Sequence, residues 1–170
     1  MSERRLPTPI PRDARLSLAL GDTVFLTGEI VATAGYPTHQ RIVEHLDAGR
    51  TLPVDLRGAA LFHLGSFSRE QGGRIEPLYV NPTTSTRFNV FMPKIVRRLG
   101  LCAVAGKGGL DADSVRALAD EACVYFSMIG GVAPLLTRGV KEVIETGWDD
   151  LIMQFRLTRL RRSEEHTSEL

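Results

Sequence analysis

The amino-acid sequence predicts an α/β domain, and three observations lead to that prediction. Segments typical of strands are interleaved along the chain with segments typical of helices. Residues 101–105 form a short and almost wholly apolar run, as expected for a strand whose two faces are both covered. The chain has 170 residues, of which 43% are hydrophobic and 24% charged, which is typical of one globular domain with a full core.

The individual elements follow in chain order from their residue patterns. Residues 1–20 are predicted to be an N-terminal arm, because Pro7, Pro9 and Pro11 remove backbone donors and favour extended structure. Runs rich in apolar, β-branched or aromatic residues predict strands at 23–27, 59–64, 77–80, 101–105, 122–126 and 151–160. Helical spacing predicts helices at 37–47, 90–99, 111–121 and 132–145, with Asp111 or Asp113 as the candidate N-cap of the third and Gly100 as the candidate C-cap of the second. Residues 66–74 are polar and contain glycine, so they are predicted to form a turn.

Composition and charge exclude several classes of protein. The net charge of +1 and the dispersed basic residues give no support for nucleic-acid binding. No apolar run approaches the length of a membrane span, and the N-terminus lacks the apolar core of a secretory signal. Cys102 and Cys123 lie in apolar segments and are expected to be reduced and buried. The sequence therefore predicts a cytoplasmic protein that binds neither nucleic acid nor a membrane.

Residues 162–170 require a separate interpretation. They match the string that one reading frame of a common DNA-sequencing adapter encodes, and the alternative is a short polar tail. We expect the adapter origin, so the predicted domain spans residues 21–161 and is truncated at its C-terminal end.

Hydroxyl-bearing residues and a guanidinium follow the predicted strand at 77–80. Pro82 opens a turn in which hydroxyl side chains, Thr83 and Thr84 among them, are followed by Arg87. A guanidinium next to hydroxyls and backbone N–H groups can hold a carboxylate through two parallel hydrogen bonds. The alternative is a solvated turn, since such residues also favour turns by bonding to the local backbone.

Lys107 stands between glycines, after the predicted strand at 101–105 and before a predicted helix. Ligands of α/β sheets bind at the carboxyl ends of strands, and glycines let the backbone approach a ligand closely. A phosphate-binding loop is excluded, because the glycine spacing is wrong and Gly108 occupies the place of the required Ser or Thr. The alternative is an exposed lysine in a turn.

Two histidines and a further arginine are candidates for a metal or substrate site. His39 and Arg41 lie at the start of the predicted helix at 37–47, and His63 ends the strand at 59–64. Two histidines without a third ligand are weak grounds for a metal, so no metal ligands are predicted and structural polar roles are favoured. The two cysteines are too few for a [4Fe–4S] cluster, so this chain alone is expected to bind none.

Taken together, these motifs resemble the β subunit, or C-terminal domain, of the iron–sulfur hydro-lyases that include class I fumarase and L(+)-tartrate dehydratase. The combination of Pro-Thr-Thr-x-x-Arg with a later Gly-Lys-Gly is the most specific part of the resemblance. It covers nearly all of the chain and ends around Trp148. The matching segments are 6–10, 21–22, 26–28, 52–58, 82–87, 106–108, 124–126 and 130–131.

The resemblance implies a fold, a partner and a cofactor. The fold would be the swivelling β/β/α three-layer domain. An α subunit would carry a [4Fe–4S] cluster on three cysteines, and the open iron of that cluster would act as a Lewis acid on the substrate. The two subunits would form a hetero-oligomer, of which an α2β2 assembly is one form, and would act on a dicarboxylate.

The resemblance also implies roles for individual residues. Thr83 matches the position proposed as the base that takes the carbon-bound proton, while Arg87 and Lys107 match residues that hold the substrate carboxylates. Thr84 and His39 are further substrate-binding candidates. The nearby cations would favour the charged form of the threonine hydroxyl, the more so where water is excluded.

One segment departs from the family pattern. Fumarase-type members carry an Arg-Asp pair before the histidine, whereas residues 32–38 are mostly small and include Tyr36. Arg41 is a candidate substitute for the lost carboxylate clamp. The predicted function is therefore the β subunit of a hydro-lyase acting on a fumarate-, tartrate- or substituted-analogue-like acid. The alternative is a non-catalytic carboxylate-binding module that has lost the chemistry.

Overall fold

A computed structural model describes residues 2–72, 74–131, 133–163 and 167–169. The strands are β1 (Glu3–Thr8), β2 (Thr23–Ala32), β3 (Ala60–Phe62), β4 (Leu64–Gln71), β5 (Arg74–Pro82), β6 (Ala103–Gly106), β7 (Val124–Ser127), β8 (Val140–Gly147), β9 (Leu157–Arg162) and β10 (Thr167–Glu169). The α-helices are α1 (Arg12–Leu16), α2 (Tyr36–Asp47), α3 (Met92–Leu99), α4 (Ala112–Asp120) and α5 (Ala133–Gly139). Single turns of 3₁₀-helix occur at Ser85–Phe88 and Met153–Phe155.

Eight of the strands form one mixed sheet, and the other two form a separate hairpin. The order in the large sheet is β10-β7-β6-β3-β2-β9-β8, and β1 lies beside β2. Strands β2, β3, β6 and β7 run parallel to one another, whereas β8 and β9 are paired antiparallel at the other side. The carboxyl ends of β3, β6 and β7 therefore meet at one edge of the sheet.

Both faces of the large sheet are covered, as alternate residues of its strands show. In β6, Val104 packs into a core with α2, α3 and α4, whereas Ala103 and Ala105 face a second core on the opposite side. Leu61 and its neighbour Phe62 in β3 divide between the two cores in the same way. The period of two that is expected for a strand thus distributes apolar side chains to both layers. This mixed α/β architecture is compatible with a three-layer domain.

The hairpin of β4 and β5 connects the sheet to the hydroxyl-rich turn. Strand β4 begins directly after His63, and β5 ends at Pro82, which is paired with Leu64 at the base of the hairpin. The two ends of the hairpin therefore lie next to each other at the same edge of the large sheet.

Several sequence predictions about local structure are confirmed. The backbone of Gly100 ends α3 in a left-handed conformation with φ of 58°. The side chain of Asp111 caps α4 by accepting a hydrogen bond from the Ser114 N–H at 2.9 Å. The predicted strands at 23–27 and 77–80 lie within the longer strands β2 and β5.

Three predictions about local structure are wrong in whole or in part. The strand predicted at 151–160 begins only at Leu157, because Met153–Phe155 form a turn of 3₁₀-helix. The polar segment 66–74 was expected to be a turn, but residues up to Gln71 continue β4, with Ser66 and Ser68 buried and Phe67 exposed. The helix predicted at 132–145 is short, because the chain changes to strand β8 at Val140 and pairs with β9. Strand partners that are distant in sequence determine the structure of segments 66–74 and 132–145, and local sequence patterns carry no information about those partners.

The two ends of the chain also have regular structure. The expected N-terminal arm consists of β1, which pairs in parallel with β2, and the short helix α1. Residues 164–166 and 170 of the expected adapter string lie outside the described residues, while β10 pairs with β2. Within the described residues, no helix is long and apolar enough to span a bilayer.

Candidate functional site

The hydroxyl-rich turn and the glycine-flanked lysine lie at the same edge of the sheet. Parallel pairing aligns Phe62 of β3 with Ala105 of β6, and Ala105 with Phe126 of β7. Lys107 follows the carboxyl end of β6 directly, and the hairpin returns the chain to this edge at Thr83. The placement expected for a ligand site of an α/β sheet is thus found for both motifs.

Backbone hydrogen bonds join the two motifs side by side. The Thr83 N–H donates to the His63 carbonyl at 2.8 Å, and the Lys107 N–H donates to the Thr83 carbonyl at 3.1 Å. The Ser85 N–H donates to the Lys107 carbonyl at 2.8 Å, so Thr84 and Lys107 form a parallel β-bridge. The turn therefore acts as one more short strand beside the end of β6, and its backbone position is fixed.

Glycines beside Lys107 are required by this close approach. A Cβ atom at position 106 would overlap Oγ of Ser85 and lie 3.0 Å from Cβ of His63. Gly108 has φ of +79°, a left-handed conformation that side-chain-bearing residues rarely adopt. The lysine is thus carried by a tight turn that only glycine can form at both flanking positions.

The side chains of the two motifs are available to a ligand. Thr83, Thr84 and Lys107 are half-buried, and Arg87 is exposed on the 3₁₀ turn. Within the described part of the chain, no hydrogen bond or ion pair involves the side chains of these four residues. The Arg87 N–H donates to the Thr84 carbonyl at 3.4 Å, which keeps the guanidinium on the turn that carries the threonines. Two cations and two hydroxyls therefore lie on adjacent segments, and their side chains have no partner among the residues that the structure describes.

A buried polar network lies directly beneath these residues. The Tyr125 hydroxyl on β7 donates to Oγ of Ser85 at 2.8 Å, and the same Oγ lies 2.8 Å from Nδ1 of His63. Ser85 and His63 have no exposed surface, and burial lowers the pKa of His63 well below its ordinary value of 6.5. His63 is therefore neutral near pH 7 and can accept one hydrogen bond and donate one.

His39, a predicted substrate-binding residue, belongs to this buried layer. Its ring is fully buried, stacks on Phe88 with centroids 3.9 Å apart, and lies 5.2 Å from the His63 ring. Its Nδ1 is 2.7 Å from the Gly35 carbonyl, which can only accept, so Nδ1 carries the proton. Burial lowers the pKa of His39 from 6.5 to about 4. In this chain the ring lies behind the site surface and does not line it.

Arg41, the candidate substitute clamp, is engaged elsewhere. Its Nη1 and Nη2 contact the two carboxylate oxygens of Asp150 at 2.9 Å and 2.5 Å, and its guanidinium lies 6.0 Å from the Trp148 ring. The structure therefore brings together Thr83, Thr84, Arg87 and Lys107, whereas Arg41 is directed to the segment after β8.

The cysteines do not fit an iron–sulfur cluster. Cys102 belongs to the core on one face of the sheet and Cys123 to the core on the other face. Burial raises the pKa of both thiols, so neither is a thiolate near neutral pH. Among the residues that the structure describes, no group of three or more His, Cys, Asp or Glu side chains could hold a metal ion.

A cavity of about 300 Å³ lies at the opposite end of the domain. Its lining includes Leu46 at the end of α2, Arg50 in the loop from α2 to β3, and Arg98 and Leu99 at the end of α3. Because α3 leads into the amino end of β6, while Lys107 follows its carboxyl end, this cavity is separate from the site described above.

Beneath the site surface, the sequence points to His39 and His63 as candidates, but it does not reveal the roles of Ser85 and Tyr125. Ser85 was one hydroxyl among several in the turn, and its burial depends on contacts with β6 and β7. Tyr125 occupies an ordinary strand position, and no sequence spacing relates it to Ser85.

Comparison with known proteins identifies a family that matches most of the chain and relatives that are about one-third identical to it. The family described as "Fumarase C-terminus" matches residues 5–156. The L(+)-tartrate dehydratase subunit beta of Shigella boydii serotype 4 is 34% identical over 164 residues, which covers 94% of this chain and 77% of that protein. The protein of the same name from Escherichia coli K12 is 34% identical over 153 residues, which covers 87% of this chain and 72% of that protein.

Proposed function

Because the chain belongs to the fumarase C-terminus family, we propose that it is the β subunit of a hydro-lyase. The reaction adds or removes water on a dicarboxylic or hydroxy acid of the fumarate, tartrate or substituted-analogue type. The relatives from Shigella boydii and Escherichia coli, both named as β subunits of L(+)-tartrate dehydratase, support this assignment.

One observation of the site carries the proposal. Arg87 and Lys107 lie at one sheet edge with two threonine hydroxyls, and their side chains have no partners within the described residues. A substrate with two carboxylates needs two cations at a fixed separation, and charge-assisted hydrogen bonds to both would orient it. The fixed backbone bridge between Thr84 and Lys107 supplies that rigidity.

Thr83 is the residue that we assign as the base. Its N–H and its carbonyl are both held by backbone hydrogen bonds, so only the rotation of its side chain remains adjustable. Removal of a proton from the carbon next to a carboxylate places negative charge on that carboxylate. Lys107 and Arg87 stabilise this charge and also favour the ionised form of the Thr83 hydroxyl, as preorganised cations do in a site from which water is excluded.

A partner subunit completes the enzyme in this proposal. The name "subunit beta" of the relatives supports a partner. The two buried cysteines of this chain cannot hold a [4Fe–4S] cluster, so we assign the cluster to an α subunit that covers the sheet edge. Arg41 would reach a substrate carboxylate only by exchanging it for Asp150, and His39 would act from beneath the surface.

Co-purification with an iron–sulfur α subunit under anaerobic conditions tests the proposal. We expect the complex, and neither subunit alone, to interconvert at least one pair among fumarate and malate, tartrate and its dehydration product, and methyl-substituted analogues. In that complex, Thr83→Ala should lower kcat roughly 10²- to 10⁴-fold, the range for loss of a general base, while substrate still binds. Thr86→Ala, which removes an exposed hydroxyl from the same turn, is the matched control.

Two outcomes would contradict the assignment. Full turnover by the Thr83→Ala complex would remove Thr83 from the role of base. Tight binding of these acids by the chain, with no turnover in any complex, would instead identify a carboxylate-binding module.

A further inference from the structure

We propose that Ser85 is a positioning residue for Thr83 and Lys107, and that it acts through a directional chain of hydrogen bonds from Tyr125 to His63. This inference rests on the proposed function for its catalytic consequence. Its geometric content depends only on the buried network beneath the site.

Ser85 is at the centre of the contacts that hold the two motifs together. Its N–H donates to the Lys107 carbonyl, and its side chain covers the Cα atom of Gly106. Its hydroxyl contacts His63, whose carbonyl accepts from the Thr83 N–H. A change at this one hydroxyl therefore reaches both the base and the lysine.

The direction of the hydrogen bonds follows from the number of protons. Burial raises the pKa of Tyr125, so its hydroxyl keeps its proton. The hydroxyl donates this one proton to Oγ of Ser85 at 2.8 Å. The serine proton is then available for Nδ1 of His63, which must be unprotonated, so His63 carries its proton on Nε2.

The protonation of the two histidines at the His63 end of the network agrees with donation from Tyr125 through Ser85 to His63. Nε2 of His63 and Nε2 of His39 are both buried and have no hydrogen-bond partner among the described atoms. Since Nδ1 of His39 carries its proton, its Nε2 is an acceptor, whereas Nε2–H of His63 is a donor. One of the two rings, whose centroids are 5.2 Å apart, thus carries a donor at Nε2 and the other an acceptor.

Nitrogen-15 NMR of the isolated chain near pH 7 tests the direction. We expect His63 to be protonated on Nε2 and His39 on Nδ1, with neither ring titrating between pH 6 and 8. Protonation of His63 on Nδ1 would overturn the directional chain.

Two variants test the positioning role in the complex with the α subunit. Ser85→Ala should lower kcat at least tenfold and raise KM, because both the base and the lysine lose their fixed places. Tyr125→Phe, which keeps the ring, should have a smaller effect of the same kind and should add little in the Ser85→Ala background. Ser66→Ala removes another buried serine hydroxyl, on β4, and should leave kcat and KM unchanged.

Amide hydrogen exchange separates this inference from the proposed function. Ser85→Ala and Tyr125→Phe should speed exchange at Thr83 and Lys107, whereas Ser66→Ala should not. If the wild-type complex turns over none of the acids, the proposed function fails and the exchange result still decides the positioning role. Unchanged exchange, or unchanged kcat and KM in an active complex carrying Ser85→Ala, would overturn that role.

Discussion

The Cα atom of Gly106 lies directly against the hydroxyl of Ser85. A methyl group at position 106 would overlap Oγ of Ser85 and crowd Cβ of His63 at 3.0 Å. This contact closes the turn onto the end of β6, and so it couples the packing of the strand to the geometry of the site.

Gly106→Ala should therefore destabilise the protein. The added Cβ would push the fully buried side chains of Ser85 and His63 away from β6. Overpacking of this kind lowers the free energy of unfolding by about 1–3 kcal/mol. Urea unfolding measures the effect. Gly130→Ala is the matched control, because a Cβ there meets no atom within 4 Å and the backbone is not left-handed. Equal stability of the two variants would show that the turn can move away from β6.

Lys107→Gln should weaken substrate binding without affecting the fold. The backbone of Lys107 is held by its bridge to Thr84, so the substitution removes only a charge at the site surface. A charge-assisted hydrogen bond is worth about 1.5–3 kcal/mol, which corresponds to roughly a 10- to 150-fold higher KM or Kd. Calorimetry with the active complex measures the change. Lys94→Gln, which removes the partner of Asp47 on a distant helix face, should leave Kd unchanged.

The stability of the chain should fall as the pH is lowered from 6.5 towards 4. Burial holds the pKa of His39 at about 4, below its ordinary value of 6.5, so in this interval the unfolded chain binds a proton that the folded chain does not. The contribution of neutral His39 to the free energy of unfolding is fully present above pH 6.5. Its complete loss at low pH lowers that free energy by on the order of 3 kcal/mol. Burial of His63 acts in the same direction.

Urea unfolding at pH 7.5, 5.5 and 4.5 measures this pH dependence. His39→Phe keeps an aromatic ring on Phe88 and should make the curve less steep, with the contribution of His63 remaining. His45→Gln, which changes a half-buried histidine on the same helix, is the control and should preserve the slope. A wild-type curve that is flat over this range would contradict the burial of both histidines.

Asp111→Ala should destabilise α4 by about 1 kcal/mol, the usual cost of losing an N-cap. The side chain of Asp111 accepts from the Ser114 N–H, and no other side chain caps this N–H in the described residues. The thermal midpoint, measured by circular dichroism, should fall by a few degrees. Asp120→Ala removes an exposed carboxylate from the other end of the same helix, where its pair with Arg97 contributes little. A loss as large for Asp120→Ala would mean that the cap has no special role.

The position of the site could be predicted from the sequence because it follows from a parallel sheet. An apolar strand that ends in glycines places Lys107 at a carboxyl edge, and a proline-started turn places Thr83 on a loop. The structure joins these two segments through the hairpin, whose strand β4 was not predicted. Ser66 and Ser68 point inward on β4 while Phe67 is exposed, so the local pattern is the reverse of the usual one.

The network beneath the site could not be predicted for a different reason. Ser85, His63 and Tyr125 lie on three elements that meet only when β3, β6 and β7 pair. A histidine or serine in a local segment carries no information about a hydrogen bond to a distant strand. Switching from helix to strand at Val140 has the same origin, because β9 supplies the pairing.

The placement of the cysteines has a practical consequence for assigning oxygen damage. Cys102 and Cys123 are both free and buried, so neither readily reaches an oxidant or an alkylating reagent. A preparation of this chain aged in air should therefore be as competent in reconstitution as a fresh one. Aged and fresh samples of the two proposed subunits can be mixed in all four combinations, and the activity of each mixture shows which polypeptide is damaged by air. We expect activity to be lost only in the mixtures that contain the aged partner.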